Sequence, residues 1–404
     1  MSIQQEDPRF EVQQIGQQEW VEAGAANAAA DYLAGYREVT ETFLKTRWEP
    51  ELKELEKNLE SWDRDDVAAY VEENKKRSLI MLVMMLTGAC NADCEICFTD
   101  RRRKPDELEP DQRDRVLRQA RELGARFVYV PGEGEPTIDS GFWQFLDTCR
   151  EIGLHAVMFT NGILFSDPAS CQKYWGMQPD EALRRLAGYP VSFYHKLWTT
   201  QPGLLAEMLG LPERLCPYSE HDGTAIPTGL MRMMDILPRE RVGVEVVVEK
   251  RNAEEVAEKI IPFATKHDLA RIVEMIQHNG RTFGDGSFDP SLAQSEPLLP
   301  FLSPTSCSLA ICKAVVTTRG YLSPRIAVLE NQIPGEPVDV RTGDFFDLLH
   351  STDYVVKRRY DINTCLCEQI PMELAQQQMS STVQRPVTNV QAPAIAATET
   401  PANP

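Results

Sequence analysis

The sequence predicts an α/β protein: a partial (β/α)6 barrel, with a helical region before it and a small α+β unit after it. Three observations predict this. Six short apolar runs rich in β-branched residues alternate with helical patterns between about residues 78 and 279. Nothing after Asn279 repeats that unit, so a full eight-fold barrel is not expected. A stretch rich in Gly, Ser and Pro at 284–304 then separates a further compact region.

Residues 1–77 read as helical and acidic. Tyr32, Leu33, Tyr36, Val39, Phe43 and Leu44 recur at spacings near three and four, Pro50 breaks the pattern, and Leu52 to Lys76 resumes it. This fits a helical cap on a barrel, with a lid or a dimer surface as the alternative. Strand one is Ser78 to Leu86, followed by a helix near Glu109 to Leu123. Strand two is Arg126 to Val130, and Phe142 to Ile152 is helical. Strand three is His155 to Thr160, with a helix near Pro179 to Leu186. Strand four is Pro190 to Leu197, and helical stretches are expected from there to about Leu237. Strand five is Arg241 to Glu249, Ala253 to His267 is helical, and strand six is Arg271 to Gln277. Lys313 to Thr318 and Tyr321 to Val328 flank Arg319-Gly320 and read as a β-hairpin. The tail from about Ser380 has no aromatic residue and too little apolar surface to order itself. The expected division is 1–77, 78–283, 284–370 and 371–404.

At 404 residues the chain is long enough for two or three units around a sizeable core. Its net charge of −19 argues against broad nucleic-acid binding, which relies on basic surface. No apolar run reaches the ~20 residues that a membrane span needs, and the N-terminus lacks a signal-peptide pattern. The ten cysteines are clustered, which reads as metal ligation in a reducing compartment, so the cytoplasm is the expected location.

Cys90, Cys94 and Cys97 follow strand one in the spacing C-x-x-x-C-x-x-C. They fall at the C-terminal end of a core strand, where parallel α/β folds carry their chemistry. Three thiolates on one loop suit three irons of a cubane iron–sulfur cluster and leave the fourth iron open to a small molecule. The alternatives are a zinc site, which would want four ligands, or three unrelated thiols. After strand two comes Pro131-Gly-Glu133-Gly134-Glu135-Pro136, and after strand three Thr160-Asn161-Gly162. Glycines let backbone approach a ligand closely, and a carboxylate can pair with an ammonium.

Together these motifs resemble the radical S-adenosylmethionine superfamily over roughly residues 78–280. The resemblance implies a [4Fe–4S] cluster on Cys90, Cys94 and Cys97, whose open iron chelates the methionine moiety of S-adenosylmethionine. One electron from the cluster then cleaves the sulfonium to give a 5′-deoxyadenosyl radical. The family's Gly-Gly-Glu-Pro turn binds the methionine amino group. Gly134, Glu135 and Pro136 match it, while Glu133 stands where the family has its first glycine. The resemblance therefore assigns cofactor contacts to Gly134, Glu135 (in preference to Glu133), Pro136 and Asn161, and to Phe98 beside Cys97. In the family the end of strand four carries polar groups for ribose and substrate. By strand alternation Ser192, Tyr194 and Lys196 share one face there and His195 takes the other. Glu245 and Glu249 likewise share a face of strand five, where an unpaired charge would be costly. Ser192 and Glu249 are expected at the cofactor, as is Ile276, placed to pack on adenine. Tyr194, Lys196, Glu245, His278 and Arg281 are expected to face the substrate.

Cys307, Cys312, Cys365 and Cys367 resemble the ligands of the SPASM or twitch appendage. Cys307, twelve residues and Gly320 match its pattern, Arg325 stands where the next cysteine belongs, and the late pair is C-x-C. Four thiols suffice for one auxiliary [4Fe–4S] cluster; the alternative is buried free thiols, the reading also given to Cys149, Cys171 and Cys216. The basic run Arg101 to Lys104 reads as a solvated loop or as a dock for a flavodoxin or ferredoxin-type electron donor. The expected function is an enzyme that abstracts hydrogen from a small-molecule substrate such as a sugar, aminocyclitol, nucleotide or amino-acid metabolite. A ribosomal-peptide maturase and a non-enzymatic electron carrier are the alternatives. The sequence leaves the oligomeric state open.

Overall fold

The structure is a computed structural model that describes residues 79, 81–97, 103–275, 313–323, 337–349, 351 and 354. The N-terminal helical region, Phe98, Arg101, Arg102, Ile276, His278, Arg281, Cys307, Cys312, Cys365, Cys367 and the C-terminal tail lie outside the described residues.

The barrel strands are β1 (Met81–Met84), β2 (Phe127–Val130), β3 (His155–Thr160), β4 (Val191–Lys196), β7 (Val242–Val248) and β8 (Ala270–Met275). They pair in parallel in that order. The helices between them are α1 (Pro110–Glu122), α2 (Phe142–Ile152), α3 (Ile163–Ser166), α4 (Pro168–Trp175), α5 (Pro179–Leu186), α6 (Pro202–Met208) and α7 (Thr228–Ile236). The last connection starts as α8 (Ala253–Glu255), passes through a π-helical turn (Val256–Ile260) and continues as α9 (Ile261–Lys266). Pro262 has no N–H to give a helical bond, which suits a widened turn just ahead of it.

Local sequence explains several boundaries. Pro110 opens α1 behind a reciprocal Glu109–Gln112 cap. Gly153, at a φ of 71°, ends α2 in the left-handed conformation that glycine tolerates. Asp167 caps α4 through the Ser170 N–H at 2.8 Å.

Strand alternation sorts the core into two layers. Leu82, Val128, Met158, Phe193 and Val244 face outward into one apolar layer, together with helix residues such as Val116, Phe145 and Leu183. Val83, Tyr129, Phe159, Tyr194 and Ile272 face the concave side and form a second layer. Phe159 stacks on Tyr194 at 5.1 Å, and Tyr129 meets Phe159 edge-on at 4.9 Å. These rings fill the inside of the curled sheet, and Gly243 leaves the space that the Tyr194 ring needs.

Two features depart from the sequence reading. The stretch expected to be helical up to Leu237 contains a separate hairpin, β5 (Tyr218–His221) and β6 (Thr224–Pro227). Its two-residue turn is Asp222-Gly223, both at positive φ, as a tight hairpin requires. The later hairpin, β9 (Lys313–Val316) and β10 (Tyr321–Ser323), is present but does not stand apart. β9 pairs in parallel with β1, so β10 and β11 (Val338–Asp339) extend the barrel sheet, followed by α10 (Phe345–Leu349). Among the described residues, no helix is long and apolar enough to cross a membrane.

Candidate functional site

The loop after β1 carries Cys90, Cys94 and Cys97, which are not in disulfides. Its two limbs are held by the buried carboxylate of Glu107. That group accepts the Gly88 N–H at 2.9 Å, the Thr87 hydroxyl at 3.1 Å and the Lys104 N–H at 2.8 Å. The middle of the loop lies on the C-terminal end of α6, whose last carbonyls lack partners within the helix. Asp93 and Glu95 donate their N–H groups to Leu209 at 2.8 Å and Met208 at 3.1 Å. Gly210 permits this approach, because a Cβ there would stand 2.2 Å from the Asp93 carbonyl oxygen. Cys94 is buried in a third apolar cluster with Trp198, Leu205 and Met208.

The Gly-Glu-Pro turn lies against the same loop. Glu135 donates its N–H to the Ala89 carbonyl at 2.9 Å, and a Cβ on Gly134 would stand 2.1 Å from that oxygen. The glycine thus serves close approach of backbone to the thiol loop. The Glu135 carboxylate is 2 % exposed and accepts from the Thr137 N–H, the Thr137 and Thr160 hydroxyls and the Asn161 N–H. Three of these donors meet Oε1 and one meets Oε2, so Glu135 ties the end of β3 to the turn while Oε2 keeps capacity for a further donor. Pro136 opens the short 3-10 turn that Glu135 caps. Asn161 donates to the Asn91 side chain at 2.8 Å, and the Nδ2 of Asn91 is buried without a hydrogen-bond partner. Glu133 instead accepts the Thr318 hydroxyl from the β9–β10 turn.

Lys196, the last residue of β4, and Glu245, in the middle of β7, are register partners. The Lys196 Nζ stands 5.1 Å from the Trp198 ring centroid, and the Trp198 indole donates to Glu245 at 3.3 Å. Burial opposes the charge on Lys196, while the negative charges of Cys94, Glu245, Cys90 and Cys97, when these groups are ionised, raise its pKa above the ordinary value. Burial pushes the Glu245 carboxyl up, against the pull of Lys196. Burial and the Glu135 charge push the Cys90 thiol up to about 12; burial raises Cys94 too, with Lys196 opposing. In the absence of a metal these thiols hold their protons, so metal ligation releases protons here.

The other expected residues are distributed differently. Tyr194 is 2 % exposed and lies within the aromatic stack below the mouth. Ser192 pairs with Val157, below the Phe159–Tyr194 layer, and bonds to His155 at 2.8 Å, so it is not brought to the thiols. His195 faces outward, with Nδ1 2.9 Å from the Lys196 carbonyl oxygen and Nε2 buried without a partner. Glu249 is buried and ion-paired with Arg251, which also reaches Glu207 at 3.0 Å and Glu95 at 2.9 Å. Arg251 thereby links the end of β7 to the thiol loop. The sequence reading missed Glu107, Arg251, Asn91 and Gly210. Only Arg251, a charge just past a strand that carries two carboxylates, left a signal there.

The donor set fits an iron–sulfur cluster better than a single ion: three thiols are spread along one loop, beside a glycine turn and an orphaned amide of Asn91. Comparison with known proteins agrees. A model described as "Radical SAM superfamily" matches residues 84–208. The probable GTP 3′,8-cyclase of Methanothermobacter marburgensis is 31% identical over 99 residues, 24% of this chain and 32% of that protein. The mycofactocin maturase MftC of Mycolicibacterium smegmatis is 33% identical over 87 residues, 21% of each chain. The chain thus spans about a third of the first relatives' length, or less. Streptococcus suis SuiB, solved bound to its precursor peptide SuiA, superposes with a TM-score of 0.55 at 16% identity, over 73% of this chain and 71% of SuiB. At that identity the likeness speaks for the fold.

Proposed function

We propose that this chain, whose residues 84–208 match the radical S-adenosylmethionine superfamily model, is an enzyme of that superfamily that binds a [4Fe–4S] cluster through Cys90, Cys94 and Cys97 and acts on a small polar metabolite. When bound, the cluster and S-adenosylmethionine together supply a carbon-centred radical able to abstract hydrogen from substrate. The chain's own residues supply placement and exclusion of water. Glu107, Arg251 and the end of α6 hold the thiol loop on three sides. The Phe159–Tyr194 stack closes the barrel beneath the mouth, so a reactive species above it meets substrate rather than solvent from below.

The observation that carries the substrate class is the group of half-buried Lys196 and Glu245 with the buried Trp198 beside the thiols. A half-buried ammonium and carboxyl at the mouth suit a ligand with complementary polar groups, and an aromatic face suits a planar or sugar ring. The GTP cyclase relative, by its name, takes a nucleotide. The second reading is a ribosomal-peptide maturase; one relative is, by its name, a maturase. An auxiliary cluster on Cys307, Cys312, Cys365 and Cys367, and a flavodoxin or ferredoxin-type electron donor, remain part of the proposal.

Anaerobic reconstitution with a reductant tests the reading. The expected result is 5′-deoxyadenosine and methionine from the parent chain and neither from Cys94→Ala. Absence of both products from the iron-loaded parent would overturn it. Deuterium passing from a labelled metabolite, and not from a labelled peptide, into 5′-deoxyadenosine would select the first substrate class.

A further inference from the structure

A second constellation lies on the outside of the barrel, where the proposed reaction does not use it. His221 ends β5, Asp222 occupies the hairpin turn, and His267 follows the last turn of α9. Their ligand atoms all lie within 4.8 Å of one another, and among the described residues no other such group of His, Cys, Asp and Glu occurs. The two imidazole rings have centroids 4.8 Å apart. A second observation points to a ligand. The His267 side chain is 10% exposed, and its Nε2 is buried with no hydrogen-bond partner, although it stands 3.3 Å from the Asp222 Oδ2. A buried polar atom that close to a carboxylate, yet misaligned for a hydrogen bond, is what a shared third atom would resolve.

From this geometry we propose that His221, Asp222 and His267 bind one divalent ion of the zinc class and so fasten the β5–β6 hairpin to the end of α9. Zinc takes imidazole nitrogen and carboxylate oxygen at roughly 2.0–2.2 Å, so tetrahedral ligands stand about 3.4 Å apart. The His267–Asp222 separation of 3.3 Å already meets that spacing. Imidazole and carboxylate donors select zinc, cobalt, nickel or copper over calcium and magnesium, which prefer all-oxygen sites. Three protein ligands leave a fourth position for water. Among the described residues the competitor is Lys266, whose ammonium stands 3.2 Å from the same Asp222 oxygen. Both partners of that pair are half exposed or more, so the pair holds weakly and the lysine is free to swing into solvent. The hairpin's other end reaches the mouth through the Tyr218 hydroxyl, which donates to the Thr199 carbonyl at 2.9 Å. The ion would therefore anchor an arm that runs from the outer wall to the rim.

The test uses the full-length chain with its cysteines loaded with iron anaerobically, stripped of other metals and titrated with Zn²⁺, then with ¹¹³Cd²⁺. The expected result is one extra equivalent of zinc and a cadmium resonance in the nitrogen/oxygen-ligand range, well apart from thiolate signals. His267→Gln and His221→Gln should each weaken zinc at least ten-fold and abolish that resonance, with thermal midpoints in chelator close to the parent's. Lys266→Ala should tighten zinc several-fold. Cadmium signals only in the thiolate range, a nitrogen/oxygen signal that survives both histidine variants, or no gain from Lys266→Ala would each overturn the proposal.

Discussion

Replacing Glu107 tests whether the thiol loop is preorganised by a single carboxylate. Thr87 and Gly88, on one limb, are buried, whereas Lys104 on the other is partly exposed. Glu107→Ala strands two buried donors, while water can reach the third. An unsatisfied buried group costs about 1–3 kcal/mol, so with two such donors the alanine variant should lose about 2–6 kcal/mol of stability. Glu107→Gln keeps the oxygen that accepts both the Gly88 and Lys104 N–H groups. Its new amide faces only the Thr87 hydroxyl, which can rotate to accept, so the loss should be about 1 kcal/mol. Urea unfolding of the metal-free chain measures both values, and iron bound per chain after reconstitution reports the loop. The expected order is parent, then glutamine, then alanine, in both readouts. Equal damage from glutamine and alanine, or an alanine variant as stable and iron-rich as the parent, would refute the clamp.

Gly134→Ala should destabilise the chain by about 2–3 kcal/mol, because its Cβ would have to displace backbone; calorimetry and iron content check this. Arg251→Met leaves the buried Glu249 without its partner, and after discounting for the partly exposed guanidinium the expected cost is about 1–3 kcal/mol; urea midpoints at low and high salt measure it. Burial pushes the His195 imidazole down to about 4. The unfolded chain protonates near 6.5, so this contribution is complete above about pH 6.5 and falls away towards pH 4 by about 3 kcal/mol. Stability measured against pH in the parent and in His195→Leu checks it: the variant should show a shallower acid slope.

The barrel was legible because its strands carry their own period and bounds. His155–Thr160, Phe142–Ile152 and Pro179–Leu186 are found where composition and punctuation put them. The β5–β6 hairpin was passed over although Asp222-Gly223 is a strong turn signal, because its strands are four residues each and only partly buried. The parallel pairing of β9 with β1 could not be read at all, since strand partnership across more than two hundred residues leaves no local trace. The thiol loop was legible from spacing. Its supports were less so: Glu107 and Gly210 act through contacts that only the folded chain brings about, and Arg251 left no more than its place just past β7.

The partnership of β1 and β9 has a consequence during synthesis. Until residue 316 leaves the ribosome, the strand beneath the three cysteines has β2 on one side and bare peptide groups on the other. Its Met85 N–H, among others, waits for the Val316 carbonyl. A chain truncated ahead of Lys313 would expose an adhesive seam beside its most oxygen-sensitive loop.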